Sequence, residues 1–286
     1  AKTPRWAVVI LAKGHAAVVT DRPKLGNTAS TRPPPGAGEP NAPSAMCGRY
    51  SLTTPIDQLL QRLRGPLPPG LVEHYRPSPQ VRPGDPLLLQ RQEHGRLEVA
   101  LALWGLLPEW SKDPLGRRRP INARAETVGE KVSFRGPWRH RRALVPADGF
   151  YEWQNRTDPA TGRPWKQPWL FRRRDREPFW LGGLWDRWVG PDGSEVETCC
   201  LLTCAPNLLL TRVHDRMPVV IPTGLEEPWL EPRDGPGLRA LEPLLQPWDP
   251  AGWEAVRLEP GSLRPLLDHP QPQGDDGEPG AAGCLS

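Results

Sequence analysis

The sequence predicts a single α+β domain that is rich in mainly antiparallel β-strands and has only a few short helices. Thirty-nine prolines and 28 glycines in 286 residues leave little room for long helices. From residue 75 onward the chain is a series of short apolar runs bounded by proline and glycine, a pattern typical of strands. These runs follow one another too closely for a helix between each pair, which favours antiparallel pairing over a parallel sheet.

The first predicted element of this domain is a short helix that begins near residue 55. Thr54 is a typical capping residue, Pro55 suits the first turn, and Asp57 places an acid near the helix start. The apolar residues of this helix recur at helical spacing and are expected to face the core: Ile56, Leu59, Leu60 and Leu63. A second short helix is predicted over 206–213. The apolar runs predict strands over 87–90, 97–104, 143–145, 169–171, 179–182 and 198–203.

Composition divides the chain into three parts. Residues 26–45 are rich in proline, glycine, alanine and serine, which predicts a disordered or linker segment within an N-terminal extension over residues 1–45. The compact domain is expected over residues 46–258, followed by a flexible tail over 259–286. No stretch approaches the ~20 apolar residues of a membrane span, so no membrane partner is expected.

The five cysteines do not predict a disulfide framework, because their number is odd and three lie close together. Cys199, Cys200 and Cys204 lack the CxxC spacing of a metal site and occupy an apolar run that predicts a buried strand. We therefore expect them to be small core residues in a reduced, cytoplasmic protein.

The net charge of +4 is carried by residues 1–45, which hold six basic and two acidic side chains. The rest of the chain is balanced, but residues 112–142 contain ten Lys/Arg against three Asp/Glu, a local charge of +7. This segment is a candidate phosphate-binding face. A solvated loop explains the same charge equally well, so charge alone leaves both interpretations open.

Cys47 has the most distinctive chemistry in the chain because Met46 precedes it. If translation begins at Met46, removal of that methionine leaves Cys47 with a thiol and a free amine on adjacent carbons. An α-amino group titrates near pH ~8, so a fair fraction is nucleophilic at neutral pH. The pair condenses with an aldehyde to a Schiff base and then to a thiazolidine ring, which an internal cysteine cannot form.

Three other segments carry polar residues on otherwise apolar strands or turns. Asn122 and Arg124 alternate along a predicted strand and share one face, while Glu152 and His214 lie farther along the chain. Each has an ordinary structural explanation. Asn122 and Arg124 fit a hydrogen-bonded pair, Glu152 fits a solvent-facing strand position, and His214 fits a helix-end histidine.

Taken together and in this order, the sequence motifs resemble the SRAP domain family of abasic-site processing proteins. The resemblance covers the compact domain, and five linked motifs in one order are highly specific. The motifs are Met46-Cys47-Gly48-Arg49, Trp104-Gly105-Leu106-Leu107-Pro108 with Trp110, Asn122-Ala123-Arg124-Ala125-Glu126, Pro146-Ala147-Asp148-Gly149-Phe150-Tyr151-Glu152-Trp153 and His214-Asp215-Arg216-Met217-Pro218.

The resemblance implies a barrel-like monomeric domain that binds single-stranded DNA and captures abasic sites, whose opened sugar exposes an aldehyde. An N-terminal Cys47 forms a thiazolidine with that aldehyde and so shields the lesion from strand cleavage and error-prone bypass. The resemblance implies a role in the DNA-damage or SOS response, near the nucleoid of a bacterium or in a eukaryotic nucleus. It requires no metal or organic cofactor, and it leaves any protein partners at the replication fork open.

The catalytic roles follow from the resemblance and from side-chain chemistry. By resemblance, Asn122 helps to place the amine and the sugar. Glu152 is expected to accept and return protons during Schiff-base formation. His214, whose ordinary pKa lies near neutrality, is expected to transfer a proton to the ring-opening sugar oxygen.

Four further residues are predicted to contact the DNA. Arg49 and Arg124 are expected to clamp phosphates in bidentate fashion. Trp104 and Trp110 are candidates for stacking on bases that flank the lesion, although a tryptophan is more often part of a core.

The family is also associated with autoproteolysis that exposes the cysteine, and with possible lyase-like activity on abasic DNA. Two accounts of residues 1–46 follow. In the first, translation starts at Met46 and the preceding residues come from an over-extended gene model, which the break in composition favours. In the second, Cys47 attacks its own preceding peptide bond with help from Glu152 and His214.

The chain departs from the family pattern at two places. Arg76 stands where asparagine is usual, and the polar signature expected after the last strand is missing from residues 259–261.

Two rival functions also account for part of the sequence. An N-terminal-nucleophile amidohydrolase needs an asparagine–glycine pair, and none of the five asparagines precedes glycine. A non-covalent single-strand binder explains the basic segment but gives Cys47 no purpose. Cys47→Ala distinguishes it from covalent capture, because a binder without a covalent step should keep its affinity and lose nothing else.

Overall fold

In a computed structural model of the protein, the described residues are 8–12, 15–19, 47–112, 119–261 and 263. The predicted segment over 26–45 and most of the predicted tail over 259–286 lie outside this set. Strands dominate and the helices are short, which confirms the predicted α+β class. Among the described residues, no helix is both long and apolar enough to cross a bilayer.

The described part of the chain contains fifteen strands and five short α-helices. The strands are β1 (Val8–Ala12), β2 (His15–Val19), β3 (Tyr50–Leu52), β4 (Ser78–Val81), β5 (Pro86–Glu93), β6 (Arg96–Trp104), β7 (Asn122–Arg124), β8 (Arg142–Ala147), β9 (Gly149–Thr157), β10 (Pro164–Arg173), β11 (Phe179–Val189), β12 (Glu195–Cys204), β13 (Met217–Pro218), β14 (Val220–Ile221) and β15 (Trp253–Arg257). The helices are α1 (Ile56–Leu60), α2 (Leu71–His74), α3 (Val132–His140), α4 (Glu226–Leu230) and α5 (Pro236–Arg239).

All six strands predicted from apolar runs are present, as β5, β6, β8, β10, β11 and β12. Each is longer than predicted, because backbone pairing continues through polar residues at the strand ends. Two 3-10 turns, Ala125–Thr127 and Glu242–Leu245, complete the regular structure of the described residues.

Five strands close into a barrel in the order β11-β8-β5-β6-β12, because β12 pairs back onto β11. Neighbours around the barrel are antiparallel except for β6 and β12. Strand β7 also runs parallel to β12, with Leu202 opposite Ala123. Parallel neighbours need long crossover connections, and β12 follows both partners by many residues. The predicted barrel-like, mainly antiparallel domain is therefore confirmed.

A second sheet, in the order β15-β10-β9-β3-β4, shares one hydrophobic core with the barrel. The Tyr50 ring of β3 lies 5.5 Å from the Trp104 ring of β6, measured between centroids. Within the second sheet, Phe150 and Phe171 stack with centroids 5.2 Å apart. Burying large aromatic and aliphatic side chains at this junction stabilises the fold by about 25 cal/mol for each Å² of apolar surface removed from water. The core therefore fixes the second sheet, whose strand β3 follows Cys47 by a few residues, against the barrel.

The three clustered cysteines are core residues, as predicted. Cys199, Cys200 and Cys204 lie in β12, are all buried, and have free thiols. Burial raises the pKa of Cys199 to about 12, so this thiol stays protonated and unreactive at neutral pH.

Two local predictions are wrong. Pro55, not Thr54, precedes the first turn of α1, and the Thr54 hydroxyl instead donates to Asp148 at 3.2 Å. Residues 208–213 form hydrogen-bonded turns where a helix was predicted over 206–213. The Asn207 side-chain oxygen accepts the N–H groups of Leu209 and Leu210 as a helix N-cap does. The backbone N–H groups that follow, however, bond by turns to carbonyls three and four residues back, so no continuous helix forms.

Part of the basic segment over 112–142 has a structural role. The buried Arg142 guanidinium donates to the backbone carbonyls of Trp138, Arg139, Trp229 and Glu231, and burial lowers its pKa to about 10. Arg141 forms ion pairs with Glu109 and Asp186. These two arginines are therefore occupied within the fold and do not form a free phosphate-binding face, whereas residues 113–118 lie outside the described residues.

The short pairing of β3 with β9 is reinforced by Asp148. The Asp148 carboxylate accepts hydrogen bonds from Ser51, Thr53 and Thr54, and its backbone N–H donates to the Ser51 carbonyl at 2.9 Å. A Cβ added at Gly149 would lie 2.9 Å from the Ser51 hydroxyl and 2.7 Å from Leu170. The missing Cβ therefore leaves room for the Ser51 and Leu170 side chains, and one carboxylate holds β3 in place.

Replacing Asp148 by alanine is expected to lower the free energy of unfolding by about 2–3 kcal/mol, because several donors of β3 lose a charged acceptor. Urea unfolding at neutral pH measures this change. Asp57→Asn removes one charge from an exposed helix position and serves as the matched control, with an expected change below about 0.5 kcal/mol. Equal stability losses in the two variants would contradict the anchoring role of Asp148.

Candidate active site

Cys47 lies just before β3, and the pairing of β3 with β9 brings it to Glu152. The N–H of Tyr151 donates to the Arg49 carbonyl at 3.0 Å, which continues the pairing toward Cys47. The Cys47 backbone nitrogen donates to Glu152 Oε1 at 3.1 Å, and the Cys47 thiol donates to the same oxygen. Both nucleophilic atoms predicted for Cys47 therefore meet one carboxyl oxygen.

The Glu152 side chain is almost completely buried, with 1% of the residue exposed. Burial is the main cause that raises its pKa to about 8. Hydrogen bonds from Cys47 oppose this rise, and the negative charge of Asp215 adds to it. The carboxyl group is therefore mostly protonated at neutral pH and exchanges its proton within the physiological range.

The Cys47 thiol is also neutral at physiological pH. Burial, followed by the charge of Glu152, raises its pKa well above the ordinary value. This distinguishes Cys47 from cysteines that attack as ready-made thiolates. Its φ of 27° lies in the left-handed region, which costs a residue other than glycine about 1–3 kcal/mol. The site thus holds a neutral thiol on a strained backbone.

His214 approaches Glu152 from the turn between β12 and β13. Its Nε2 atom lies 3.9 Å from Glu152 Oε2, and 4% of its side chain is exposed. Nδ1 accepts the backbone N–H of Arg216 at 3.1 Å and lies 2.9 Å from Asp215 Oδ1. Burial is the largest influence on the ring and lowers its pKa, whereas the charge of Asp215 acts in the opposite direction. The structure therefore brings Cys47, Glu152 and His214 into one buried group.

Asn122 and Arg124 lie on β7, which runs beside the last residues of β12. Asn122 is opposite Leu201 and Arg124 is opposite Thr203, with the buried Ala123 between them. Arg124 is exposed and Asn122 is partly buried, so the predicted strand geometry is confirmed and Arg124 is accessible from solvent.

Arg216 ties the His214 turn to the same end of β12. Its guanidinium donates to both carboxylate oxygens of Glu126, at 2.6 and 2.7 Å, and to the Thr203 carbonyl at 2.7 Å. Bidentate arginine–carboxylate pairs fix geometry as well as charge. Arg216 therefore helps to hold the turn that presents His214.

A second pair of basic side chains flanks Cys47. The Arg49 guanidinium lies over the Trp153 ring, 5.1 Å from its centroid. Tyr50 pairs with Val81 across β3 and β4, and the charges of the residues that adjoin this pair, Arg49 and Arg82, interact. Partial burial, followed by the charge of Arg82, lowers the pKa of Arg49. Like charges opposite each other on paired strands are unfavourable, and an anion between them relieves the repulsion.

The two predicted stacking tryptophans have different positions. Trp104 is buried at 2% exposure, contacts Tyr50 and donates its indole N–H to the Ile121 carbonyl at 2.9 Å. It is a core residue with no free ring face for a base, because the core covers it. Trp110 is 51% exposed and borders a groove of about 310 Å³ beside α3. Only Trp110 of this pair is presented to solvent.

A family model described as SOS response associated peptidase (SRAP) matches residues 46–260. The chain belongs to the SRAP family. The resemblance drawn from the five motifs is thereby confirmed.

Several relatives of this SRAP chain are named abasic site processing proteins. YoqW of Bacillus subtilis is 37% identical over 216 residues, covering 74% of this chain and 92% of YoqW. YedK of Escherichia coli is 30% identical over 190 residues, covering 65% of this chain and 79% of YedK. A crystal structure of a Bacteroides thetaiotaomicron protein matches with a TM-score of 0.65 and 26% identity, covering 75% of this chain and 93% of that chain.

Sequence reasoning missed three residues around the SRAP site. Trp153 adjoins Glu152 in sequence, and its position one residue along β9 was an available signal. Asp215 adjoins His214, and its place within the His214–Pro218 motif was another. Arg82 had no sequence signal, because its position beside Arg49 depends on the register of β3 and β4. Among the described residues, no group of three or more His, Cys, Asp or Glu could hold a metal ion.

Glu152→Gln is expected to make the folded protein more stable than the wild type at alkaline pH. The folded pKa of about 8 exceeds the ordinary value of 4.5, so the wild type loses stability as pH rises between them. Glutamine mimics the protonated acid and does not incur this loss, which is about 1.4 kcal/mol for each unit of pKa difference.

Urea unfolding of both proteins at several pH values from about 5 to 9 measures the difference. The stability gap should widen in favour of Glu152→Gln as pH rises. A constant gap across that range would mean that Glu152 ionises normally.

Proposed function

We propose that this protein captures abasic sites in single-stranded DNA as a covalent thiazolidine formed by an N-terminal Cys47. The names of its relatives support an abasic-site function, and one observation supports the covalent step. The nitrogen and the sulfur of Cys47 both contact Glu152 Oε1, so one buried acid serves both bond-forming atoms.

The reaction proceeds in two additions. The free amine of Cys47 attacks the aldehyde carbon, and loss of one water molecule gives a Schiff base. The Schiff base forms in its protonated state and keeps one amine hydrogen on nitrogen. The thiol sulfur then adds to the same carbon and closes the ring, and the thiol gives up its proton. Glu152 protonates the departing hydroxyl group and then accepts the thiol proton, which suits a carboxyl whose pKa is about 8. Ring closure removes the Schiff base before it promotes cleavage of the strand.

His214 supports the step that produces the aldehyde. An abasic sugar is mostly a closed ring, and opening requires a proton on the ring oxygen. The His214 Nε2 atom lies 3.9 Å from Glu152 Oε2, so it borders the space next to the reacting cysteine. A histidine there is suited to deliver that proton and to take it back during reversal.

A chain that carries residues before Cys47 must lose them before it can react. We propose that Cys47 performs this cleavage on itself. The thiol adds to the Met46 carbonyl carbon, the bond to the Cys47 nitrogen breaks, and that nitrogen takes a proton by way of Glu152. Water then hydrolyses the thioester and restores the thiol. The left-handed φ of 27° at Cys47 supports this step, because cleavage releases the strain. Translation from Met46 followed by methionine removal leads to the same N-terminus.

The charged and aromatic residues around Cys47 suit a single strand of DNA. The charges of Arg49 and Arg82 interact near Cys47, and Arg124 is exposed on β7. Guanidinium groups bind phosphates in bidentate fashion. Trp153 lies under Arg49, and Trp110 is exposed, so both are candidates for base stacking. Asn122 on the same β7 strand is proposed to place the sugar.

The central prediction is that a chain with Cys47 at its N-terminus forms a heat-stable crosslink to a single-stranded oligonucleotide that carries one abasic site. A denaturing gel detects the shifted band. Cys47→Ala and Cys47→Ser both keep a free N-terminal amine but lack the thiol. Neither should give a heat-stable band without a reductant, and each should give a band only after borohydride reduction of the Schiff base.

The full-length chain separates the two accounts of the N-terminus in the same experiment. A crosslink from the full chain, together with a new N-terminus found by mass spectrometry, supports self-cleavage, and Glu152→Gln should then slow both. A crosslink from the Met46 start alone means that the extension blocks the amine. No crosslink from either chain would return the non-covalent binder and the amidohydrolase to consideration.

Removal of Arg49 or Arg124 is expected to weaken DNA binding in a salt-dependent way. Each lost phosphate contact should reduce the slope of log affinity against log salt concentration by about 0.7 for a single strand. Fluorescence anisotropy with an undamaged oligonucleotide measures binding without the covalent step. Arg239→Ala, at an exposed position on α5, is the matched control and should leave the slope unchanged. A loss of affinity that is equal at all salt concentrations would exclude a phosphate contact.

A further inference from the structure

Two neighbours with opposite requirements meet at one nitrogen of His214. The Arg216 backbone N–H donates to Nδ1 at 3.1 Å, which requires an Nδ1 without a proton. The Asp215 carboxylate oxygen lies 2.9 Å from the same Nδ1, which favours an Nδ1 that carries a proton. The surroundings of Nδ1 therefore accommodate two protonation states of the ring.

The two states differ in what the opposite nitrogen can do. With Nδ1 bare, a neutral ring carries its proton on Nε2, on the side of Glu152 Oε2. This ring is a poor acid, because loss of that proton would leave an imidazolate anion. With Nδ1 protonated, the ring gives up its Nε2 proton and becomes a neutral base. Delivery of a proton from Nε2 therefore requires a proton on Nδ1 first.

We propose that Asp215 is the positioning residue that holds the second proton on His214 and so lets the ring act as a general acid, a role that rests on the proposed function. The Arg216 N–H holds the resting neutral ring, and the Asp215 carboxylate takes over when Nδ1 gains a proton. After the sugar oxygen receives the Nε2 proton, the ring remains neutral with Nδ1–H facing Asp215. It is then ready to accept a proton in the reverse reaction.

Two positive charges near the ring act against Asp215. Burial opposes protonation of His214, and so do the positive charges of Lys166 on β10 and of Arg216. Glu152 on β9 is mostly neutral, since its pKa is about 8. The charge of Asp215 favours the imidazolium, in opposition to these influences.

The Asp215 side chain is exposed to solvent, although its charge influences two buried groups of the site. Its side chain is 85% exposed, although that of His214 is only 4% exposed. The same charge contributes to the raised pKa of Glu152. Exposed charges are screened by salt, so added salt should reduce the influence of Asp215 on both buried groups. An exposed carboxylate beside approaching phosphates also repels DNA, so its removal should not weaken binding.

The test compares Asp215→Asn with the wild type, both with Cys47 at the N-terminus. Crosslinking rates on single-stranded abasic DNA are measured from about pH 5 to 9 at low and high salt. The crosslinking rate should fall as pH rises through the pKa of His214. In Asp215→Asn this fall should occur at lower pH, so that the rate at neutral pH is about three- to tenfold below that of the wild type. High salt should move the wild-type profile toward that of the variant. Asp215→Glu should restore the profile, and Asp57→Asn should leave it unchanged.

A uniform rate loss with an unmoved pH profile would overturn the proposal, and so would an unchanged rate. Anisotropy with undamaged DNA should show equal or tighter binding by Asp215→Asn. A second measurement does not need the covalent reaction. NMR titration of the His214 ring should show a lower pKa in Asp215→Asn than in the wild type, and an equal pKa would also overturn the proposal. If the wild type forms no crosslink, but the NMR titration still shows a lower His214 pKa in Asp215→Asn, the result counts against the proposed function and not against the role of Asp215.

Discussion

The short antiparallel contact between β3 and β9 is the constraint on which the rest of the site depends. It is only a few residues long, yet it determines where Cys47 lies relative to Glu152. The contact is stabilised by one carboxylate, Asp148, and by the absence of a side chain at Gly149. A side chain at position 149 would crowd the side chains of Ser51 and Leu170, and Ser51 belongs to the strand that Cys47 precedes.

Burial then determines the chemistry of the groups that this contact brings together. Glu152 and Cys47 have raised pKa values and His214 has a lowered one, so all three favour their neutral forms at physiological pH. A neutral site suits a condensation that needs protons to be moved several times and water to be expelled. It does not suit a nucleophile that works as a permanent thiolate. Charge is found instead at the rim, on Arg49, Arg124 and Asp215.

Local patterns predicted the elements of this protein well, because strand formation follows from short apolar runs between prolines and glycines. The six predicted strands and the core position of Cys199, Cys200 and Cys204 were read directly from such runs. The helix predicted over 206–213 is wrong because its backbone N–H groups bond by turns to carbonyls three and four residues back, although Asn207 caps the segment as it would cap a helix. Apolar periodicity does not reveal which carbonyl a backbone N–H takes.

The sequence by itself determined the class of fold, the family and the four segments that supply Cys47, Asn122, Glu152 and His214. Only the tertiary structure decided which similar residues have different roles. Trp104 is buried and Trp110 is exposed, and Arg142 binds carbonyls inside the fold while Arg49 lies beside Arg82. The physical reason is that burial, strand register and the field of neighbouring charges arise from contacts between distant parts of the chain. Residue type and spacing along the chain carry no direct record of those contacts.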